Sequence, residues 1–131
     1  MQNNDLKQRT KKFALGLIKL VESLPRTRTG DVLGRQLLRS ATSVAANYRA
    51  ATRAKSPADF VCKMGIVEEE ADESALWLEL LSDAQTIAPE KAATHLKEAG
   101  ELTAIAVASI NTARRNTAVP RSALRVPRSA F

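Results

Sequence analysis

The sequence predicts the all-α class, as an antiparallel up-down four-helix bundle, on three observations. Apolar residues recur at steps of three and four through four long segments, the spacing of one helix face. Aromatics make up only 4% of the 131 residues, glycine is scarce, and Ala, Leu, Glu, Lys and Arg dominate, a composition that favours helix throughout. The central pair of segments is joined by so short a turn that the two helices must lie antiparallel and adjacent. At this length the chain forms one domain, large enough for a core of several helices.

Helix one is expected from about Asp5 to Leu24, with Leu6, Phe13, Leu17, Leu20 and Leu24 facing inward. Lys7, Arg9, Lys11, Lys12 and Lys19 are expected to face solvent. Pro25 and the segment RTRTG form the first loop, and Thr29 or Asp31 is expected to cap helix two, which runs to about Ala54. In that helix Leu37, Ala41, Val44, Tyr48 and Ala51 hold the core stripe. Ser56-Pro57-Ala58-Asp59 marks the next start: Ser56 as N-cap, Pro57 at the first helical position, Asp59 completing a variant capping box. Helix three runs from Pro57 to about Ala84 with Phe60, Met64, Val67, Ala71, Ser74, Leu78 and Leu81 inward. After the connector DAQTIA, Pro89 opens helix four, which continues to about Arg115 with Leu96, Leu102 or Thr103, Ala106, Ile110 and Ala113 inward. The bundle thus spans residues 1–115. Residues 116–131 repeat Val-Pro-Arg-Ser-Ala with a period of seven and hold no acidic residue, so this basic tail is expected to be disordered or to fold only on a partner.

Charge is segregated along the chain. Residues 1–55 hold 12 Lys/Arg against 3 Asp/Glu, residues 56–113 hold 3 against 11, and residues 114–131 hold 5 against none. Basic and acidic helices side by side, within or between subunits, account for most of this, and the basic tail is the remainder. The longest apolar run, Ala104 to Ala108, is far below the roughly 20 residues that span a bilayer, and the amino terminus resembles no secretory signal. A soluble protein without membrane partners is expected. Cys62 is the only cysteine, which suits a reducing cytoplasm.

Helix three carries a second stripe, Ile66, Glu70, Glu73, Trp77 and Leu80, beside its core face. The only tryptophan lies on it, so the stripe is expected to be an oligomer interface; the plain alternative is a broad core edge with Trp77 half-buried. Helix two has a flank of small polar residues, Gln36, Ser40, Ser43 and Asn47, which permits close helix approach. Arg39, Ser40, Ser43 and Asn47 are read as a structural polar network, with Arg39 pairing Glu70 or Glu73. Arg35, Arg49 and Arg53 on the outer face, with Arg114, Arg115, Arg121, Arg125 and Arg128 toward the carboxyl end, are candidate nucleic-acid contacts, a solvated basic face being the alternative for the first three.

Catalytic chemistry is hard to find. His95 is alone on an expected surface of helix four, Cys62 has no metal-ligand spacing, and no phosphate loop or Ser/His/Asp set is present. No catalytic residue, metal ligand or cofactor site is therefore assigned. The exception to weigh is Glu69-Glu70-Ala71-Asp72-Glu73, which fits E-E-x-x-E and resembles the first metal-binding motif of all-α nucleotide pyrophosphatases of the MazG type. Such an enzyme would use Glu69, Glu70 and Glu73 with Mg²⁺ on a nucleoside triphosphate, but the later E-x-x-D that the family needs has no match: Glu98-x-x-Glu101 and Glu79-x-x-x-Asp83 both depart from it.

R-S-A-T-S-V-A-A-N-Y-R-A-A (Arg39 to Ala51), R-A-K-S-P-A-D-F (Arg53 to Phe60) and E-E-A-D-E-S-A-L-W-L-E-L-L (Glu69 to Leu81) closely resemble the bacterial four helix bundle proteins. That family includes proteins encoded in intervening sequences of large-subunit ribosomal RNA genes, and the accessory variability protein of diversity-generating retroelements is similar. The resemblance covers about residues 5–113 and leaves the tail outside. Many members read N-I-A-E-G where this chain has Asn47-Tyr48-Arg49-Ala50-Ala51, which places it with the N-Y-R branch. The resemblance implies an up-down bundle assembling into a homo-oligomeric ring, commonly pentameric, with no known catalysis. It also implies a basic ring surface that holds RNA or DNA and a reverse transcriptase or other nucleic-acid enzyme.

Overall fold

The computed structural model describes residues 3–117, which form four α-helices and, among the described residues, no strand. These are α1 (Asn3–Glu22), α2 (Arg28–Ala51), α3 (Pro57–Asp83) and α4 (Pro89–Thr117). Each connector is five residues long and spans at most roughly 20 Å, while a helix such as α2 is about 36 Å long. The chain therefore cannot return to the same end, and consecutive helices run antiparallel. The expected tail falls on residues 118–131, outside the described residues, beyond its first two positions at the end of α4.

Helix starts follow local chemistry, with one correction. At α2 the cap is Thr27, not Thr29 or Asp31: its backbone is extended and its Oγ1 accepts from the Gly30 N–H at 3.0 Å. The loop folds so tightly there that a Cβ on residue 30 would lie 2.6 Å from the Pro25 carbonyl oxygen, so the glycine sets where the helix can begin. Asp31 instead lies in the first turn, where its charge meets the positive end of the helix dipole. At α3 Ser56 caps as expected, accepting from the Asp59 N–H at 3.0 Å, and Pro57 opens the helix. The Asp59 carboxylate reaches back to the Lys55 N–H at 3.0 Å, one residue before the cap. α3 ends in a Schellman motif: Thr86 N–H donates to the Leu81 carbonyl and Gln85 N–H to that of Ser82, with Gln85 at φ 60°.

The core stripes of α2 and α3 are buried as their periodicity predicts except at Phe60, which is half-buried, with Leu37, Val44, Met64, Leu78 and Leu81 shielded almost completely. On α4 Leu102, not Thr103, takes the inward position, and the core also includes Ala92 and Ala99. α3 packs along both α2 and α4 and α1 packs along α2, whereas α1 and α4 touch only briefly. The helices thus sit at the corners of a square in chain order. The α1/α4 side is open as a groove of about 660 Å³, with the Gly16 backbone against His95 on its wall.

Candidate nucleic-acid interface and its supporting network

Two interhelix clamps use part of the basic charge. Arg39 on α2 donates to Glu70 at 3.0 Å and also binds Glu73, both on α3. The Glu70 side chain is only 3% exposed, so this charge is stabilised by Arg39, whose own side chain is 46% exposed. Beside the clamp the Ser40 and Ser74 hydroxyls meet at 2.8 Å, and the Ser74 hydroxyl also donates to the Glu70 carbonyl. Small hydroxyl side chains bring α2 and α3 close enough for Arg39 to reach across. Ser43 and Asn47 bond each other within α2: the Asn47 amide donates to the Ser43 carbonyl at 2.9 Å and to its hydroxyl at 3.0 Å.

The second clamp was not legible as such. Arg9, expected to face solvent, is half-buried and grips α4, donating to Glu98 at 2.6 and 2.7 Å and to Glu101 at 2.8 Å. The hydrogen bonds it donates to the Glu98 carboxylate raise its pKa and hold the guanidinium firmly protonated. His95, expected on the surface, is half-buried beside Gly16, and burial lowers its pKa.

The second stripe of α3 divides. Ile66 and Glu70 are buried inside the single chain, at 3% and 2% exposure, and Glu73 is held by Arg39. Trp77 is half-buried, with its indole nitrogen enclosed and lacking a hydrogen-bond partner. Leu80 is exposed. Trp77 in part and Leu80 are therefore what the stripe leaves exposed.

The E-E-x-x-E carboxylates do not converge. Glu70 and Glu73 turn to Arg39, while Glu69 lines a groove on the α4 side with Gly65, Glu68 and Arg114. Among the described residues no group of three or more His, Cys, Asp or Glu side chains is placed to hold a metal ion. The pyrophosphatase alternative finds no support in this geometry.

Of the candidate phosphate contacts, Arg35, Arg49 and Arg53 are exposed along the outer side of the α2 segment, and among the described residues no carboxylate forms an ion pair with them. From Arg35 to Arg49 the helix rises about 21 Å. Arg115 is exposed at the end of α4, where its guanidinium lies 3.4 Å from the Thr112 hydroxyl. Arg114 is half-buried near Glu68, with its Nε enclosed and unpartnered. Glu68 itself has a raised pKa, chiefly from burial and then from Glu69 and Asp72, with Arg114 opposing. Arg121, Arg125 and Arg128 lie outside the described residues. No described helix is long and apolar enough to cross a membrane.

Comparison with known proteins finds both a family model and solved structures that match. The family model of the 23S rRNA-intervening sequence protein matches residues 2–108. A crystal structure of a protein of unknown function, from the S23 ribosomal protein family of Bacteroides thetaiotaomicron VPI-5482, is 33% identical. It covers 85% of this chain and 99% of its own, with a TM-score of 0.79. No curated protein matches.

Proposed function

The chain belongs to the 23S rRNA-intervening sequence protein family, and from that premise we propose that it is a non-enzymatic scaffold that self-associates and holds nucleic acid through basic surfaces. The observation that carries the reading is the division of charge. Arg9 and Arg39 are consumed by clamps, while Arg35, Arg49 and Arg53 face outward with no carboxylate paired to them among the described residues, and residues 114–131 add five arginines and no acidic residue. Exposed, unpaired guanidinium groups suit a phosphate backbone, which rewards each neutralised contact by counterion release. With few aromatics for base stacking, the reading implies sequence-tolerant, salt-sensitive binding of RNA or DNA.

Self-association is the second half of the proposal. Trp77 and Leu80 offer apolar surface at the flank of α3, and a closed ring, five-membered by the family resemblance, would present several basic segments together. Linked copies raise avidity by about 10²-fold or more when they engage one strand. A nucleic-acid enzyme such as a reverse transcriptase is the class of protein partner that such an assembly would hold. A cytoplasmic location fits the lone Cys62.

The test is fluorescence anisotropy with labelled RNA and DNA at low and high salt, comparing the full chain with one ending at Asn116. Binding that weakens with salt and with truncation supports the reading. Absence of binding by either form at low salt removes it.

A further inference from the structure

We infer that the outward face of α1 docks on the outward face of α3 of a second copy of this chain. The two helices run antiparallel, with Lys12 opposite Glu79, Leu15 opposite Leu76 and Lys19 opposite Asp72. This rests on the reading of the chain as self-associating and adds to it a surface, an orientation and a register.

Two exposed leucines motivate it. Leu15 is 48% exposed and Leu76 45%, each at the centre of a helix face turned away from the core. A single exposed leucine needs no explanation. These two are flanked, a turn to either side, by exposed charges of one sign: Lys12 and Lys19 on α1, Asp72 and Glu79 on α3. Among the described residues none of the four charges takes part in an ion pair.

The spacing fixes the orientation. Along α1 the three residues are separated by three and then four positions; along α3, read backwards from Glu79, they are again separated by three and then four. Antiparallel helices therefore bring all three pairs level at once, because rise per residue is the same on both. A parallel pairing would leave the leucines a residue out of step. The groove beside α1, walled on its far side by α4, gives the incoming helix a seat, and both lysines and Leu15 lie on its lining.

The same contact cannot close within one chain. α1 and α3 occupy opposite corners of the bundle with no close backbone approach between them, so their outward faces look in opposite directions. Each copy offers one face to each of two neighbours, which is a heterologous contact that builds a ring or an open chain.

The experiment is analytical ultracentrifugation of the intact chain at low salt over a concentration series, with circular dichroism to confirm folding. Lys12→Glu with Lys19→Glu is expected to raise the dissociation constant of self-association at least ~10-fold, since two attractions become repulsions. Asp72→Lys with Glu79→Lys is expected to do the same. All four changes in one chain should restore association, and an equal mixture of the two double variants should recover it in part, because a five-membered ring keeps at least one like-charged contact. If the wild type associates but neither double variant weakens it, this interface is wrong while the scaffold reading stands. If both weaken it and neither the combined chain nor the mixture recovers, the pairing is wrong. A wild type that stays monomeric at every concentration overturns both this inference and the scaffold reading.

Discussion

Replacing Arg39 by methionine isolates the most consequential contact in the bundle. The substitution keeps much of the side-chain volume but leaves Glu70, 3% exposed, without the guanidinium that lies 3.0 Å away. Removing one partner of a buried pair costs about 3–5 kcal/mol, because the remaining charge stays desolvated. Arg39 is itself 46% exposed, so solvent already screens its side of the pair and water can replace part of what is lost. The expected loss is therefore about 2–3 kcal/mol. For a domain of this size that lowers Tm by roughly 8–12 °C in a thermal melt followed by circular dichroism. The double variant Arg39→Met with Glu70→Leu should recover most of the loss, because no buried charge remains. A fall in Tm below about 2 °C for the single variant, or a double variant no more stable than the single, refutes the assignment of Glu70 as a buried charge stabilised by Arg39.

Four further substitutions probe local features. Gln85→Gly should raise stability by about 0.5–1 kcal/mol in chemical denaturation, because residue 85 adopts φ 60° where an L side chain is strained; a loss would mean the side chain contributes contacts that outweigh the strain. Gly100→Ala should gain about 0.5–1 kcal/mol, since a Cβ there meets nothing within 4 Å. Gly16→Ala should fall short of that gain, because its Cβ would lie 3.1 Å from His95 Cε1; equal gains at both sites would contradict the close approach. His95 supplies a pH signature. Burial depresses its folded pKa below 6.5, so the unfolded chain binds more protons just below that value, and stability falls as pH drops from about 7 through 6.5 toward the folded pKa. Glu68, whose folded pKa is raised, contributes with the opposite sign, so the comparison must be with His95→Gln. That variant should lose less stability than the wild type between about pH 7 and 5.5, and identical profiles would refute the burial of the imidazole.

The fold was legible where periodicity and punctuation agreed. In α2 and α3 strongly apolar residues recur on one face, and Ser56-Pro57 marks the start of α3 by two independent mechanisms. α4 was harder, because Ala92 and Ala99 are buried but alanine gives little contrast with the exposed alanines beside it. The start of α2 offered several hydroxyl and carboxyl caps within a few residues; the choice of Thr27 depends on how the loop backbone packs at Gly30, which composition does not encode. Periodicity found a second stripe on α3 but not what covers it. Ile66 and Glu70 are hidden within the chain, a result that depends on the placement of α2 and the reach of Arg39. The Arg9 clamp joins residues 89 and 92 positions apart, so no local pattern could reveal it. The exposed arginines of α2 were legible because they avoid the core stripe, while their lack of carboxylate partners required the three-dimensional arrangement.

The central claim is that unpaired arginines on the outer side of α2 hold a phosphate backbone. Its most direct test is the salt dependence of binding to a labelled single-stranded RNA, comparing the wild type with Arg35→Gln, Arg49→Gln and Arg53→Gln combined. All three positions are exposed, so the variant should melt as the wild type does. Each lost phosphate contact removes about 0.7 from the slope of log affinity against log salt, so the triple variant should bind more weakly with a slope shallower by about 2. An unchanged affinity and slope would contradict the account.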